Sequence, residues 1–260
     1  MSLSLATWNV NSLKVRLPHV LDWLAANPVD ALVLQELKMT DDVFPAAELM
    51  AAGYHSVFTG QKTYNGVAIL SKVPALDVQY NLPNFEDAQR RFVAATLPSD
   101  LGDVRVLCGY FPNGQALDSD KFVYKMAWLD ALRDYTREQM AQYPRVALGG
   151  DYNIAPADAD VHDPDAWRDQ LHCSPQERAQ FQSFIDLGLT DAFRAFEQPP
   201  KSYSWWDYRM LGFQKNKGLR IDHWLLSAGL TPHLAACTID RAPRKLPQPS
   251  DHTPVIVRFG

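Results

Sequence analysis

Cysteine is scarce in this chain of 260 residues. There are three, Cys108, Cys173 and Cys237, scattered and in no C-x-x-C spacing. A dispersed, odd-numbered set argues against a disulfide scaffold and against a zinc knuckle, and fits a reducing compartment. Glycine, at 13 residues, is too rare for a collagen-like chain, and 11% aromatics exclude wholesale disorder. No apolar run approaches the ~20 residues that span a bilayer. The N-terminus, MSLSLATWNV, lacks a basic segment followed by an apolar one, so a signal peptide is not expected and a cytoplasmic, membrane-free protein is. G-x-x-x-x-G-K-[ST], G-x-G-x-x-G and G-x-S-x-G are all missing, which leaves nucleotide binding by those loops and serine-hydrolase chemistry without support. The net charge of −5 excludes a basic nucleic-acid coat, although it leaves room for a local basic patch.

What is present is an ordinary globular composition, 47% hydrophobic and 21% charged, with no repeat, linker or low-complexity stretch. Apolar strand-like runs alternate with helical ones. LSLATWNV, DALVLQE, YHSVFTG, NGVAILS, RRFVAATL, DVRVLCGYF, RVALGGD, KSYSWW, LRIDHWLLS, LAACTID and TPVIVRF read as strands, with those between residues 54 and 111 as antiparallel neighbours. Helices are expected over 16–26, over 119–140 with Ser119 as N-cap, and over 174–188 with Ser174 as cap, Pro175 at the first position and Gly188 at the end. The pattern predicts one α/β domain over 1–260, with two sheets face to face and helices outside.

Polar residues at the ends of buried strands are the informative feature, because strand ends and loops carry sites in α/β folds. Asn9 and Asn11 share a face at a period of two, either as site residues or as Asx caps of a turn. Glu36 closes DALVLQE, either solvated or bound to a metal. Gly149-Gly150-Asp151-Tyr152-Asn153 puts Asp151 and Asn153 on one face after two glycines that allow close approach. Asp251-His252 precedes the last strand, where the imidazole can serve as acid, base, ligand or phosphate contact. Hard oxygen donors without a thiolate cluster suit Mg²⁺, with Mn²⁺ as substitute, rather than structural zinc.

These segments, in this order, resemble the exonuclease III family of DNA-repair nucleases. TWNVNSL, LQELK, NGVAILSK, YFPNG, LGGDYNIAP, SWWDYR, GLRID and SDHTPV carry the likeness across essentially the whole chain. The resemblance implies a four-layer α/β sandwich of two mixed sheets and a monomeric, Mg²⁺-dependent phosphodiesterase. Its substrate would be double-stranded DNA with abasic sites or with blocked or recessed 3′ ends. It makes Glu36 the main metal ligand, with Asn9 beside it and Asp251 joining. Asp151 activates water, Asn153 and Asn113 hold phosphoryl oxygens, Tyr110 orients the phosphate or helps the leaving oxygen, and His252, oriented by Asp222, stabilises developing charge. Lys121, Lys125, Arg90, Arg91, Arg209, Lys215, Lys217 and Arg220 are candidates for a basic groove, or for a solvated surface. Trp205, Trp206, Leu219 and Ile221 match an apolar pocket for an extruded abasic sugar, or alternate between core and surface.

The chain begins almost at its first strand, so no redox-signalling role is expected. Leu171-His172 stands where relatives often carry smaller residues. Its bulk is expected to crowd the sugar pocket and shift the balance from abasic-site incision toward 3′-end work. A same-fold phosphoesterase acting on RNA or small phosphates is the competing enzyme reading. A binding-only relative would be free to lose Glu36, Asp151, Asn153, Asp222 and His252, all of which are present.

Overall fold

The computed structural model describes residues 3–260. In chain order the elements are β1 (Leu3–Asn9), α1 (Leu13–Ala26), β2 (Ala31–Gln35), α2 (Ala46–Ala51), β3 (His55–Thr59), β4 (Val67–Ser71), β5 (Leu76–Tyr80), β6 (Phe92–Leu97), β7 (Val104–Tyr110), α3 (Asp120–Gln142), β8 (Val146–Asp151), α4 (Pro175–Asp186), β9 (Thr190–Asp191), β10 (Trp205–Trp206), β11 (Gly218–Leu219), β12 (Asp222–Leu226), β13 (Leu234–Ile239) and β14 (Val255–Phe259). One sheet runs β13-β14-β1-β2-β4-β3 and the other β5-β6-β7-β8-β12-β9, with β10 and β11 forming a separate ribbon. Each large sheet has a parallel pair at its centre, β1 with β2 and β7 with β8, among antiparallel neighbours. Both sheets are mixed, as expected.

Alternation along the strands sorts the core into layers. Leu3 and Leu5 of β1, Ala31 and Val33 of β2, Val104, Val106 and Cys108 of β7, Ala147 of β8 and Trp224 and Leu226 of β12 meet in one cluster between the sheets. The opposite face of the first sheet packs on α1 and α2 through Trp8, Trp23, Leu32, Leu34 and Leu49. The opposite face of the second packs on α3 and α4 through Leu107, Trp128, Leu132, Leu148 and Phe184. The result is the four-layer sandwich, helices outermost.

Both expected helix starts hold. The Ser119 hydroxyl accepts from the Phe122 N–H at 3.2 Å, and Ser174 with Glu177 forms a capping box behind Pro175. Other readings need correction. The strands between residues 54 and 111 are antiparallel neighbours but divide between the sheets, β3 and β4 in one and β5 to β7 in the other. Hairpin spacing reports pairing, not which sheet a hairpin joins. LRIDHWLLS breaks into β11 and β12 around Arg220, and KSYSWW pairs only at Trp205–Trp206. β5 is an edge strand without a fully buried face, which explains its weak signal, and α2 was not anticipated. The two glycines before Asp151 serve packing rather than a ligand. A Cβ at Gly149 would lie 2.5 Å from the Trp224 ring, and one at Gly150 would lie 1.9 Å from the Gly109 carbonyl oxygen.

Candidate active site

The face that buries the core between the sheets continues into polar residues at one end. Asn9 follows Leu3, Leu5 and Thr7, Tyr110 follows Val106 and Cys108, Asp151 follows Ala147 and Gly149, and Asp222 precedes Trp224 and Leu226 in the same alternation. Strand period alone therefore converges four side chains from four strands on one mouth. The two sheets close it similarly. The Asn11 N–H donates to Asn9 Oδ1 at 2.9 Å, and the Asn153 N–H donates to Asp151 Oδ1 at 2.9 Å. These Asx turns take Asn11 (φ 44°) and Asn153 (φ 50°) into the left-handed region, so neither simply continues its strand's face as alternation suggested. Glu36 (φ 55°) and Lys38 (φ 54°) are left-handed as well.

Asn9 bridges the sheets: its Nδ2 donates to Glu36 Oε1 at 2.8 Å and to Asp151 Oδ2 at 2.9 Å. Glu36 also pairs with Lys38 Nζ at 2.9 Å. Asn153 Nδ2 reaches the Phe111 carbonyl at 3.0 Å, and Asn113 Nδ2 reaches Asn153 Oδ1 at 3.4 Å. His252 presents Nδ1 to Asp222 Oδ2 at 2.9 Å, while its Nε2 lies 3.6 Å from Asp151 Oδ2. Asp222 accepts in turn from the Ser204 hydroxyl at 2.6 Å.

These surroundings set the protonation states. Burial pushes the Asp151 carboxyl up to about 7, with nearby His252 opposing and Asp222 adding to the rise. Burial alone would depress His252, but the carboxylates of Asp222 and Asp151 outweigh it and hold the imidazolium to about 10. Enclosure, then the charges of Glu36 and Asp151, raises the Tyr110 phenol well above its ordinary value, so it stays a donor.

Glu36, Asp151 and His252 each offer one ligand atom, all within 4.8 Å of one another. Two carboxylates facing each other across an amide form a donor set that fits a hard divalent cation, with the protonated His252 ring beside it as a hydrogen-bond donor. Asn9 turns its amide nitrogen toward the carboxylates and uses its oxygen on Asn11, so it acts here as the bridge between them. Asp251 lies outside that trio. Its oxygens accept from Asn11 Nδ2 and Trp205 Nε1, each at 2.9 Å.

The remaining candidates divide. Lys121 is exposed and lines a cleft of 540 Å³ together with Tyr64, Asn65, Gln89, Arg91, Asn113 and Tyr124. Arg91, not Arg90, faces this cleft, with its guanidinium 4.8 Å from the centre of the Tyr110 ring. Two basic candidates are corrected. Lys125 is fully buried against Glu177, and Arg220 is buried between Asp160 and Asp191, so neither belongs to a solvent-facing groove. Arg209 is exposed but paired with Asp207. Leu219 and Ile221 are buried with Ala155, Val161 and Cys173, with Trp205 half-buried beside them and Trp206 in the core. His172 is buried, its Nδ1 donating to the Asn153 carbonyl at 2.8 Å. Lys38 and Ser204 were missed although LQELK and SWWDYR contain them.

Comparison with known proteins agrees with this geometry. The model of the endonuclease/exonuclease/phosphatase family matches residues 6–252. Exodeoxyribonuclease III of Haemophilus influenzae is 35% identical, over 97% of this chain and 98% of that protein. The solved structure of the 3′ phosphatase NExo from Neisseria, bound to product DNA hairpin, is 49% identical with a TM-score of 0.96, covering 99% of both chains. An AP endonuclease from Archaeoglobus fulgidus is 34% identical with a TM-score of 0.93, again over 99% of both. With its sandwich, its carboxylate–imidazole mouth and this extent of likeness, the chain belongs to the endonuclease/exonuclease/phosphatase family, in its exonuclease III branch.

Proposed function

We propose that this chain is a divalent-metal-dependent DNA-repair phosphodiesterase. It works chiefly at 3′ ends, as a 3′–5′ exonuclease and 3′-phosphatase, with abasic-site incision as the weaker activity. The observation that carries the reading is the mouth itself: the Glu36 and Asp151 carboxylates close enough to share one ion, with His252 beside them, backed by Asn9, Asn153, Tyr110 and Asp222. The 3′-end emphasis draws on His172 and on the closed apolar cluster at Leu219 and Ile221, where an extruded sugar would need room. The 49%-identical Neisseria relative is itself named a 3′ phosphatase.

Glu36 and Asp151 would hold Mg²⁺, or Mn²⁺ in its place; when bound, the ion neutralises phosphate charge and orients the phosphoryl group. The chain's own groups do the rest. Asp151, aimed into the mouth beside His252, is placed to orient and activate the attacking water. Imidazolium Nε2 of His252 donates to a phosphoryl oxygen as charge builds there. The side-chain amides of Asn153 and Asn113 fix the phosphate, and the protonated Tyr110 hydroxyl donates to it or to the leaving oxygen. The neighbouring strand runs along the Arg91–Lys121–Tyr64 cleft, where basic and aromatic groups suit backbone and base. A monomer acting in the cytoplasm on double-stranded DNA completes the reading; among the described residues no helix is long and apolar enough to cross a membrane.

The test uses two labelled duplexes in Mg²⁺, with and without chelator, one carrying an internal abasic analogue and one an undamaged recessed 3′ end. Chelator-sensitive 3′ trimming that outpaces internal incision is expected. Dominant incision would reverse the order of the activities, and no cleavage of either would move the weight to RNA or small phosphates.

A further inference from the structure

The segment Asn153–Ala155 has no regular secondary structure, yet its three consecutive carbonyls are all held by basic side chains. Asn153 O accepts from Lys125 Nζ at 2.9 Å and from His172 Nδ1 at 2.8 Å. Ile154 O pairs with His223 Nε2 at 2.8 Å, and Ala155 O accepts from Arg178 Nε at 3.3 Å. Lys125 is the centre of this set. Its ammonium also donates to Asn113 O at 3.2 Å and pairs with Glu177 Oε1 at 2.5 Å, so its three protons have three acceptors. Lys125 and Glu177 are both completely buried, and Glu177 Oε2 accepts from the N–H and hydroxyl of Ser174 in the cap of α4.

A buried ion pair is a poor device for stability alone, since a well-packed apolar pair of similar volume is often as stable or more so. What an apolar pair lacks is a donor for two carbonyls. The two that Lys125 holds belong to Asn113 and Asn153, whose side-chain amides meet at 3.4 Å, and Asn153 is held at φ 50°. We propose that Lys125, fixed by Glu177, is a positioning residue of the active site. It ties the turn after β7 and the turn after β8 to a single nitrogen and so sets the angle at which Asn113 and Asn153 meet the phosphate. The two outer helices thereby transmit their packing to the site, Lys125 from α3 and Glu177 from α4. The inference rests on the proposed phosphate contacts of those two asparagines.

The test is the double substitution Lys125→Met with Glu177→Met, which keeps volume and leaves no unpaired buried charge. Expected are a melting temperature within a few degrees of the wild type and a KM for the recessed duplex within about threefold. The kcat should fall by about 100-fold, the scale of a misplacement near 1 Å. The side-chain amide NMR signals of Asn113 and Asn153 should shift and broaden without DNA present. A merely structural pair would lower the melting temperature and leave the kcat of the folded fraction and both amide signals in place; that result overturns the proposal. If the double variant does not fold, the wild type decides. Slowly exchanging Lys125 ammonium protons, with scalar coupling across the bonds to the Asn113 and Asn153 carbonyls, support the clamp, and their absence overturns it. If the wild type cuts no DNA, the phosphodiesterase reading falls while the amide signals still judge the clamp.

Discussion

Asp222 holds His252 from behind: the carboxylate takes Nδ1 at 2.9 Å and is itself pinned by the Ser204 hydroxyl at 2.6 Å, leaving Nε2 to face Asp151 and the mouth. The arrangement fixes both ring orientation and charge. With the imidazolium held to about 10, His252 remains charged throughout the neutral range. Asp222→Asn removes the charge that opposes burial, so the histidine should lose its proton at lower pH. The kcat is expected to fall about 10- to 100-fold at pH 7, the usual cost of losing such an orienting partner. It should fall further between pH 7 and 9, where the wild type holds steady. A kcat profile across that range is the check, and identical profiles would remove the imidazolium from the rate-determining step.

Glu36 and Asp151 should differ in what they do to the fold. The Asp151 carboxyl is buried and raised to about 7, so the ionised form opposes folding when no cation is bound. Asp151→Asn is therefore expected to raise the melting temperature of the metal-free protein while reducing cleavage by several orders of magnitude, an exchange common at functional sites. Glu36→Gln should leave the metal-free fold nearly unchanged. It should, however, cut the stabilisation gained on adding Mg²⁺, which for an intact site reaches about 2.7 kcal/mol at a hundred times Kd. Thermal melts with chelator and with a Mg²⁺ series separate the two. A full Mg²⁺ shift in Glu36→Gln would take that residue out of the metal site.

Acid should destabilise the protein from pH 6.5 downward. Burial, then the Lys125 charge, depresses His172 to about 4, and burial, then Arg220, depresses His223 to about 4. Both stay neutral in the fold between pH 4 and 6.5 while the unfolded chain takes up two protons, so each contributes stability that is lost as pH falls through that window. Asp151, raised to about 7, works in the opposite direction by one proton over the same window, and His252 is charged in both states there. The net is about one proton, or roughly 1.4 kcal/mol per pH unit. Calorimetry at pH 7, 5.5 and 4.5 in chelator should show a falling melting temperature, and a flat or rising one would contradict the two buried neutral histidines.

Much of this was legible in the residues. Alternation and caps placed most of the strands and the three long helices. The polar ends of apolar strands marked Asn9 and Asp151, and the family resemblance added Tyr110 and Asp222; the four meet because the same face that buries Leu5, Cys108, Ala147 and Trp224 runs on into them. Sequence patterns could not assign hairpins to sheets, because that depends on contacts between segments far apart in the chain. Nor could they tell a surface lysine from a buried one. Lys121 and Lys125 are one turn apart on α3, yet one is exposed and the other is enclosed by a carboxylate from α4 that only the tertiary fold delivers. The left-handed turns at Asn11 and Asn153 were hidden for a similar reason. Asparagine announces a turn, but a period-two count assumes that the strand continues.

The proposed preference for 3′ ends over abasic sites is testable at His172. Its φ of 71° belongs to the left-handed region, so glycine fits that backbone with less strain than histidine does. Its ring donates to the Asn153 carbonyl and lies 6.4 Å, centre to centre, from that of Trp167, which packs on the Leu219–Ile221 cluster, and the neighbouring Leu171 side chain would lie 3.2 Å from a Cβ at Gly114. His172→Gly therefore opens space beside the apolar cluster. The Asn153 carbonyl keeps its Lys125 donor, so 3′ trimming should survive. Abasic-site incision should rise relative to trimming by about tenfold, the lower end of what one group's fit in an apolar pocket is worth. His172→Gln, which restores bulk and a donor, should hold the ratio near that of the wild type. The two duplexes that test the overall activity measure this ratio directly. If His172→Gly and His172→Gln give the same ratio as the wild type, crowding at this position does not set the preference, and the closed cluster at Leu219 and Ile221 must open by another route when a lesion binds.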